Sequence, residues 1–109
     1  MAESYELLQK SESGGLYYVR GSLANSGKGS EMYPAPNILI NNKNGFTTPN
    51  GRALSMMQFL IVNCEKKLQI TNDTLFYSGY FSEGERLYAN HEIFNQKIFK
   101  SIERKFCPK

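Results

Sequence analysis

Two cysteines, Cys64 and Cys107, stand 43 residues apart in a chain of 109. Any fold of this chain either joins them or keeps two separate thiols. Neither has a second Cys or a His nearby that would complete a zinc spacing. A disulfide belongs to an oxidising compartment, two unrelated thiols to a reducing one. An exported chain would carry a leader, yet Met1-Ala2-Glu3-Ser4 is polar and holds no apolar stretch. The protein is therefore either cytosolic or a mature chain with an initiator Met added after leader removal. In the second case residues 1–3 are expected to be flexible or a cloning remnant. The longest apolar run, residues 59–62, is far below the roughly 18 residues a membrane-crossing helix needs, and it suits a buried strand.

One domain over residues 1–109 is expected at this length. With 40% hydrophobic residues, seven Tyr and seven Phe, the chain can form a core, though a small one that a cross-link would help. Residues 4–11 alternate imperfectly, as a short first strand does, and Ser13-Gly14-Gly15 makes a turn. Leu16 to Arg20 has the aromatic, β-branched composition of a strand. Residues 26–30 form a loop. Pro34 and Pro36 lack the amide donor of a ladder, so residues 32–36 are irregular or an edge and 38–40 the better strand. Residues 41–52 are the clearest loop, since Asn44-Gly45 and Asn50-Gly51 favour positive φ and turn the chain back.

Residues 53–64 place apolar side chains at both even and odd positions, which predicts a central strand covered on both faces. In residues 66–77, Leu68, Ile70, Thr74 and Phe76 are expected on a buried face, with Lys67, Gln69, Thr71 and Asp73 opposite. Cys64-Glu65-Lys66 links the two as a tight hairpin. A turn over 79–84 and a short strand over 85–89 follow. Phe94, Ile98, Phe99, Ile102 and Phe106 then take helical spacing, with Asn95 as N-cap and Pro108 just beyond the end. The fold class is α+β: five or six antiparallel strands with one C-terminal helix on one face. Cys64 ends the most apolar strand and Cys107 ends the helix that should cover it. A single bridge clamping helix to sheet is expected, and in the chain-entropy model a loop of roughly 44 residues contributes about 4 kcal/mol. The alternative is two buried thiols, which a thiol titration of the native protein distinguishes.

Chemistry is sparse. The net charge of +3 comes from scattered Lys and Arg, so no nucleic-acid footprint is expected. All acidic residues but Asp73 are Glu, which leaves little for carboxylate-pair or hard-metal chemistry. His91, the lone histidine, has no nucleophile elbow to serve, and Gly27-Lys28-Gly29-Ser30 lacks the upstream Gly of a phosphate loop. Asn72-Asp73-Thr74 spells a glycosylation sequon inside an expected strand. No catalytic residue, cofactor or metal is predicted. The tyrosines at strand ends suit packing first and protein contact second.

Leu16-Tyr17-Tyr18-Val19 followed by Ser22, the stretch from Ala53 to Cys64, Phe76-Tyr77 with Gly84, and Cys107 after a short amphipathic segment resemble, in order and spacing, the bacterial surface-adhesin protein E-like family. The resemblance spans residues 4–107. It implies an exported envelope protein of a Gram-negative bacterium, in the periplasm or on the outer membrane and often lipid-anchored. It also implies a curved antiparallel sheet whose C-terminal helix is tethered by a disulfide. The family's founding adhesin binds host extracellular-matrix and serum proteins and self-associates. Its strand before the first cysteine is rich in Lys and Arg, whereas here Arg52 stands alone before Met56, Met57 and Leu60, so matrix binding through a basic patch does not carry over.

The expected function is thus a non-enzymatic protein-binding module, with a host matrix protein as partner, homodimer formation, no nucleic acid, and membrane contact only through a removed lipid anchor. Electrostatic binding would use Arg52, Lys66 and Lys67; contact-area binding would use Tyr33, Phe46 and Tyr77. The alternative is a periplasmic regulator or immunity-type inhibitor of an envelope enzyme, to which a long polar loop over 41–52 would be suited.

Overall fold

The structure, a computed structural model, describes residues 2–24, 39–41 and 45–108. A hairpin opens the chain: β1 (Ala2–Lys10) and β2 (Leu16–Ala24) pair antiparallel around the turn at Ser13. Ala2 and Glu3, expected within a flexible end, are paired with Ala24 and Leu23. β2 pairs next with β6 (Ser55–Asn63), and β6 with β7 (Leu68–Tyr77). The far edge of β7 is completed by two short strands, β8 (Arg86–Asn90) beside Thr74–Tyr77 and β9 (Phe94–Lys97) beside Leu68–Thr71. A separate three-stranded sheet, β3-β4-β5, is built from Leu39–Asn41, Gly45–Thr48 and Gly51–Ala53. The helix α1 (Lys100–Phe106) follows.

Nine strands among the described residues exceed the five or six expected. Part of the excess is the segment 41–52. Gly45 at φ +102° and Gly51 at φ +124° take the positive φ expected there, but Gly45–Thr48 and Gly51–Ala53 are paired strands rather than loop, and residues 42–44 lie outside the described residues. At Gly45 a Cβ would overlap the Ala53 carbonyl oxygen, so only glycine lets these strands approach so closely. The strand expected over 53–64 is likewise two, interrupted at Leu54, whose amide donates to the Tyr77 carbonyl (2.9 Å). Its coverage is one-sided. Met56, Gln58, Leu60 and Val62 are buried, while Met57, Phe59 and Ile61 on the other face are only half-buried.

The face assignment of β7 is overturned in its first half. Gln58 pairs with Thr74 and Leu60 with Thr71, so Phe59 stands opposite both Asn72 and Asp73. This bulge shifts the alternation by one residue. Gln69 and Thr71 consequently face inward at 1% exposure each, and Leu68 is left 47% exposed. Past the bulge, Thr74 and Phe76 are buried as expected. The inward polar groups are satisfied as a network. Gln96 Oε1 accepts from Thr71 Oγ1 (2.9 Å) and Gln69 Nε2 (3.4 Å), and Gln69 Oε1 accepts from the Phe99 amide (2.9 Å).

That network explains the other correction, the length of the helix. Residues 94–97 are strand, and Asn95 pairs with Ile70 instead of capping. The helix α1 has seven residues, Lys100–Phe106. Ile102 on α1 is fully buried and joins Tyr5, Tyr17, Val19, Leu23, Met56, Leu60, Val62 and Phe76 in one core. Phe46 and Ala53 of the small sheet enter the same core, Phe46 meeting the Phe76 ring edge-on at 5.5 Å. Cys64 and Cys107 form the expected disulfide, with their Cα atoms 5.5 Å apart. Lys105 Nζ adds a hydrogen bond from α1 to the Tyr5 carbonyl of the edge strand (2.6 Å).

Candidate functional site

The six-stranded sheet buries one face, and its other face carries apolar side chains that lie outside the core. Because side chains alternate along a strand, Tyr18, Phe59, Ile61 and Ile70 point away from the core while their neighbours fill it. Cross-strand pairing sets them in rows: Tyr18, Ile61, Ile70 and Asn95 form one, and Leu16, Asn63, Leu68 and Lys97 form the next. Two adjoining hollows lie here. One of about 360 Å³ is lined by Leu16, Tyr18, Ile61, Leu68 and Ile70 together with the polar Asn63, Lys66 and Asn95. The other, about 200 Å³, shares Tyr18 and Ile61 and adds Leu8 and Phe59. A one-residue irregularity between Leu7 and Gln9 in β1 accompanies the turn of Leu8 toward this face.

At the opposite end of the sheet the segment after β7 makes a tight turn, with a 3-10 stretch over Tyr80–Ser82. The turn is pinned from both sides. Ser55 Oγ donates to the Gly79 carbonyl (2.6 Å) and accepts from the Ser82 amide (2.8 Å). The Gly79 amide donates to the Glu83 carbonyl (3.0 Å), and the Glu85 amide to Ser78 Oγ (2.9 Å). Held this way, Phe81 and Ser82 adopt φ +58° and +60°, a region that a bulky side chain rarely enters. Phe81 is 72% exposed and Tyr80 47%. The turn thus presents two aromatic side chains to solvent from a backbone that is already ordered.

The residues singled out from the sequence scatter over this frame. Tyr77 ends β7 beside the aromatic turn and is half-buried. Phe46 is buried at 0% exposure and belongs to the core, where its ring packs on Phe76, so it offers no contact surface. Tyr33 lies outside the described residues. Arg52 is exposed on β5, while Lys66 and Lys67 sit in the hairpin past the other end of β6. The length of β6 separates them by roughly 25–30 Å, and the three make no common patch. Lys67 stands 3.7 Å from Glu103 of α1, the Lys67 side chain well exposed and that of Glu103 half-buried. Lys66 lines the larger hollow.

His91 lies on an open surface in the link between β8 and β9. Its Nδ1 is 2.7 Å from Asp73 Oδ1, and this contact joins the link to the bulge of β7. Among the described residues no group of three or more His, Cys, Asp or Glu could hold a metal ion. From the sequence Tyr80 counts only among the tyrosines suited to protein contact, and Phe81 beside it is not singled out. The available signal was two adjacent aromatics between Gly79 and Gly84, where a turn would ordinarily be polar.

No curated protein sequence matches the chain. Among solved structures, that of Haemophilus influenzae protein E is similar, with a TM-score of 0.57 and 13% identity, over 94% of this chain and 79% of that one. This likeness is one of fold: an antiparallel sheet with a short C-terminal helix. The family model for surface-adhesin protein E matches residues 5–105, and the chain belongs to that family.

Proposed function

We propose that this chain is an exported, non-enzymatic protein of a Gram-negative cell surface that binds another protein through its aromatic turn. The partner in this reading is a host extracellular-matrix or serum protein. The carrying observation is Phe81, exposed at 72% on a backbone held by the surrounding hydrogen bonds. Binding hot spots are aromatic side chains that seat in a partner's pocket, and a preordered loop loses little conformational freedom on docking. Tyr80 and Tyr77 extend the contact on the same end of the sheet. Export is supported by the disulfide, which persists in oxidising compartments. Self-association belongs to the same proposal and is supported by family membership.

The regulator or immunity-type reading drew on a long polar loop over 41–52. Within the described part of that segment Gly45–Thr48 and Gly51–Ala53 are paired strands with Phe46 in the core, so the loop lends that reading little support.

The test is a panel of immobilised matrix and serum proteins at physiological salt, probed with the wild-type chain and with Tyr80→Ala/Phe81→Ala. One partner should bind saturably, and the double variant should lose about tenfold or more in affinity while melting normally. Absence of binding across the panel, or equal binding by both proteins, would overturn the reading.

A further inference from the structure

The end of the sheet opposite the aromatic turn carries a second, chemically different feature. The larger hollow is lined mostly by apolar side chains, Leu16, Tyr18, Ile61, Leu68 and Ile70, with Asn63 and Asn95 among them. It continues through the shared Tyr18 and Ile61 to Leu8 and Phe59 in the adjoining one. From Leu68 on β7 to Leu8 on β1 this track crosses three strand intervals, roughly 15 Å. Its Leu68 end is cationic. Lys66 lines the hollow, and Lys97 is the ladder partner of Leu68, which places both side chains on the same face. Among the described residues neither Lys66 nor Lys97 takes part in an ion pair. Glu65, next in sequence to Lys66, lines a separate hollow with Gly14 and Tyr17.

An apolar track with a cationic end fits an amphiphile with an anionic head. The backbone decides against a peptide lying on this floor. β2, β6 and β7 are interior strands at this end, bounded by β1 and β9, and their amides and carbonyls serve the ladders on either side. A peptide laid across them would bring polar backbone groups to a surface with few partners to offer, whereas a hydrocarbon chain needs none. The size of the larger hollow also lies in the range of small-ligand sites, about 300–1,000 Å³.

We propose that this track binds a single-chain aliphatic carboxylate of about twelve carbons, a length matched to three strand intervals. The carboxylate sits between Lys66 and Lys97, and the tail runs over Ile61 and Tyr18 toward Leu8 and Phe59. The site does not depend on partner binding at the aromatic turn, and the two are read by separate assays.

The experiment titrates the full chain with dodecanoate below its micelle concentration, followed by amide and methyl NMR shifts. Dodecyltrimethylammonium, of the same tail and opposite charge, is run in parallel, together with octanoate. Dodecanoate should bind saturably and shift Ile61, Leu68 and Ile70, and octanoate should bind at least tenfold more weakly. The exposed double variant Lys66→Glu/Lys97→Glu should weaken dodecanoate about tenfold and favour the cationic amphiphile. The proposal is overturned by non-saturable shifts, by equal binding of the two amphiphiles, by shifts confined to core residues, or by indifference to the charge reversal.

Discussion

Phe81 is largely exposed and stands at φ +58°. An L-residue in this left-handed region is disfavoured by about 1–2 kcal/mol. Glycine would remove that term while adding about 0.5–1 kcal/mol of unfolded-chain entropy. Phe81→Gly should therefore raise stability by about 0.5–1 kcal/mol, read as a higher urea midpoint at unchanged slope. The same change should lower affinity for the protein partner. Opposite signs for stability and binding would mark a side chain kept for contact, and a fall in both would mark one that the fold itself needs. His91 and Asp73 present the reverse case: their contact is short, at 2.7 Å, but lies in water, where such pairs contribute little.

At the scale of elements, β7 governs the molecule through its bulge. The extra residue at Asn72–Asp73 turns Gln69 and Thr71 inward and leaves Leu68 on the open face. It also falls at the junction between β8 and β9 on the neighbouring edge. Gln69→Leu would leave the part-buried amide of Phe99 without its acceptor, at a cost of about 1 kcal/mol. Hydrogen exchange should show the loss of protection concentrated at residues 94–99. The strands of the first hairpin, β6 and β7 were legible as strands from their apolar and β-branched composition, but their faces were legible only past the bulge of β7. The strand β8, with no fully buried residue, was legible only as a short stretch after a turn. The bulge was not legible, since Thr and Gln at 69–71 read as solvent-facing and only pairing with Gln96 makes their burial tolerable. Phe94, Gln96 and Ile98 satisfy a period of two as well as Phe94, Ile98 and Ile102 satisfy a helical one. The ladder with Leu68–Thr71 chose between them. At the proposed site, Tyr77 ends β7 beside the aromatic turn, but Phe81 was hidden because exposure of an aromatic is a property of packing, not of spacing.

For the whole molecule the disulfide is the main long-range constraint. α1 has only seven residues, well short of the length at which a helix holds itself in water. It is kept by Ile102 in the core and by Cys107 at its end. Cys64→Ala/Cys107→Ala should destabilise the protein by about 2–5 kcal/mol, and reductant should move the wild-type melting temperature toward that of the variant while leaving the variant unmoved. The bridge has a further, topological effect. It closes residues 64–107 into a covalent ring that contains β7, the aromatic turn, β8, β9 and α1. The turn at Phe81 and the link at Ile93, 65% exposed, both lie on that ring. A protease that nicks either point opens a loop without releasing a fragment, so the aromatic turn stays fastened to the sheet after a cut that would sever an unbridged chain.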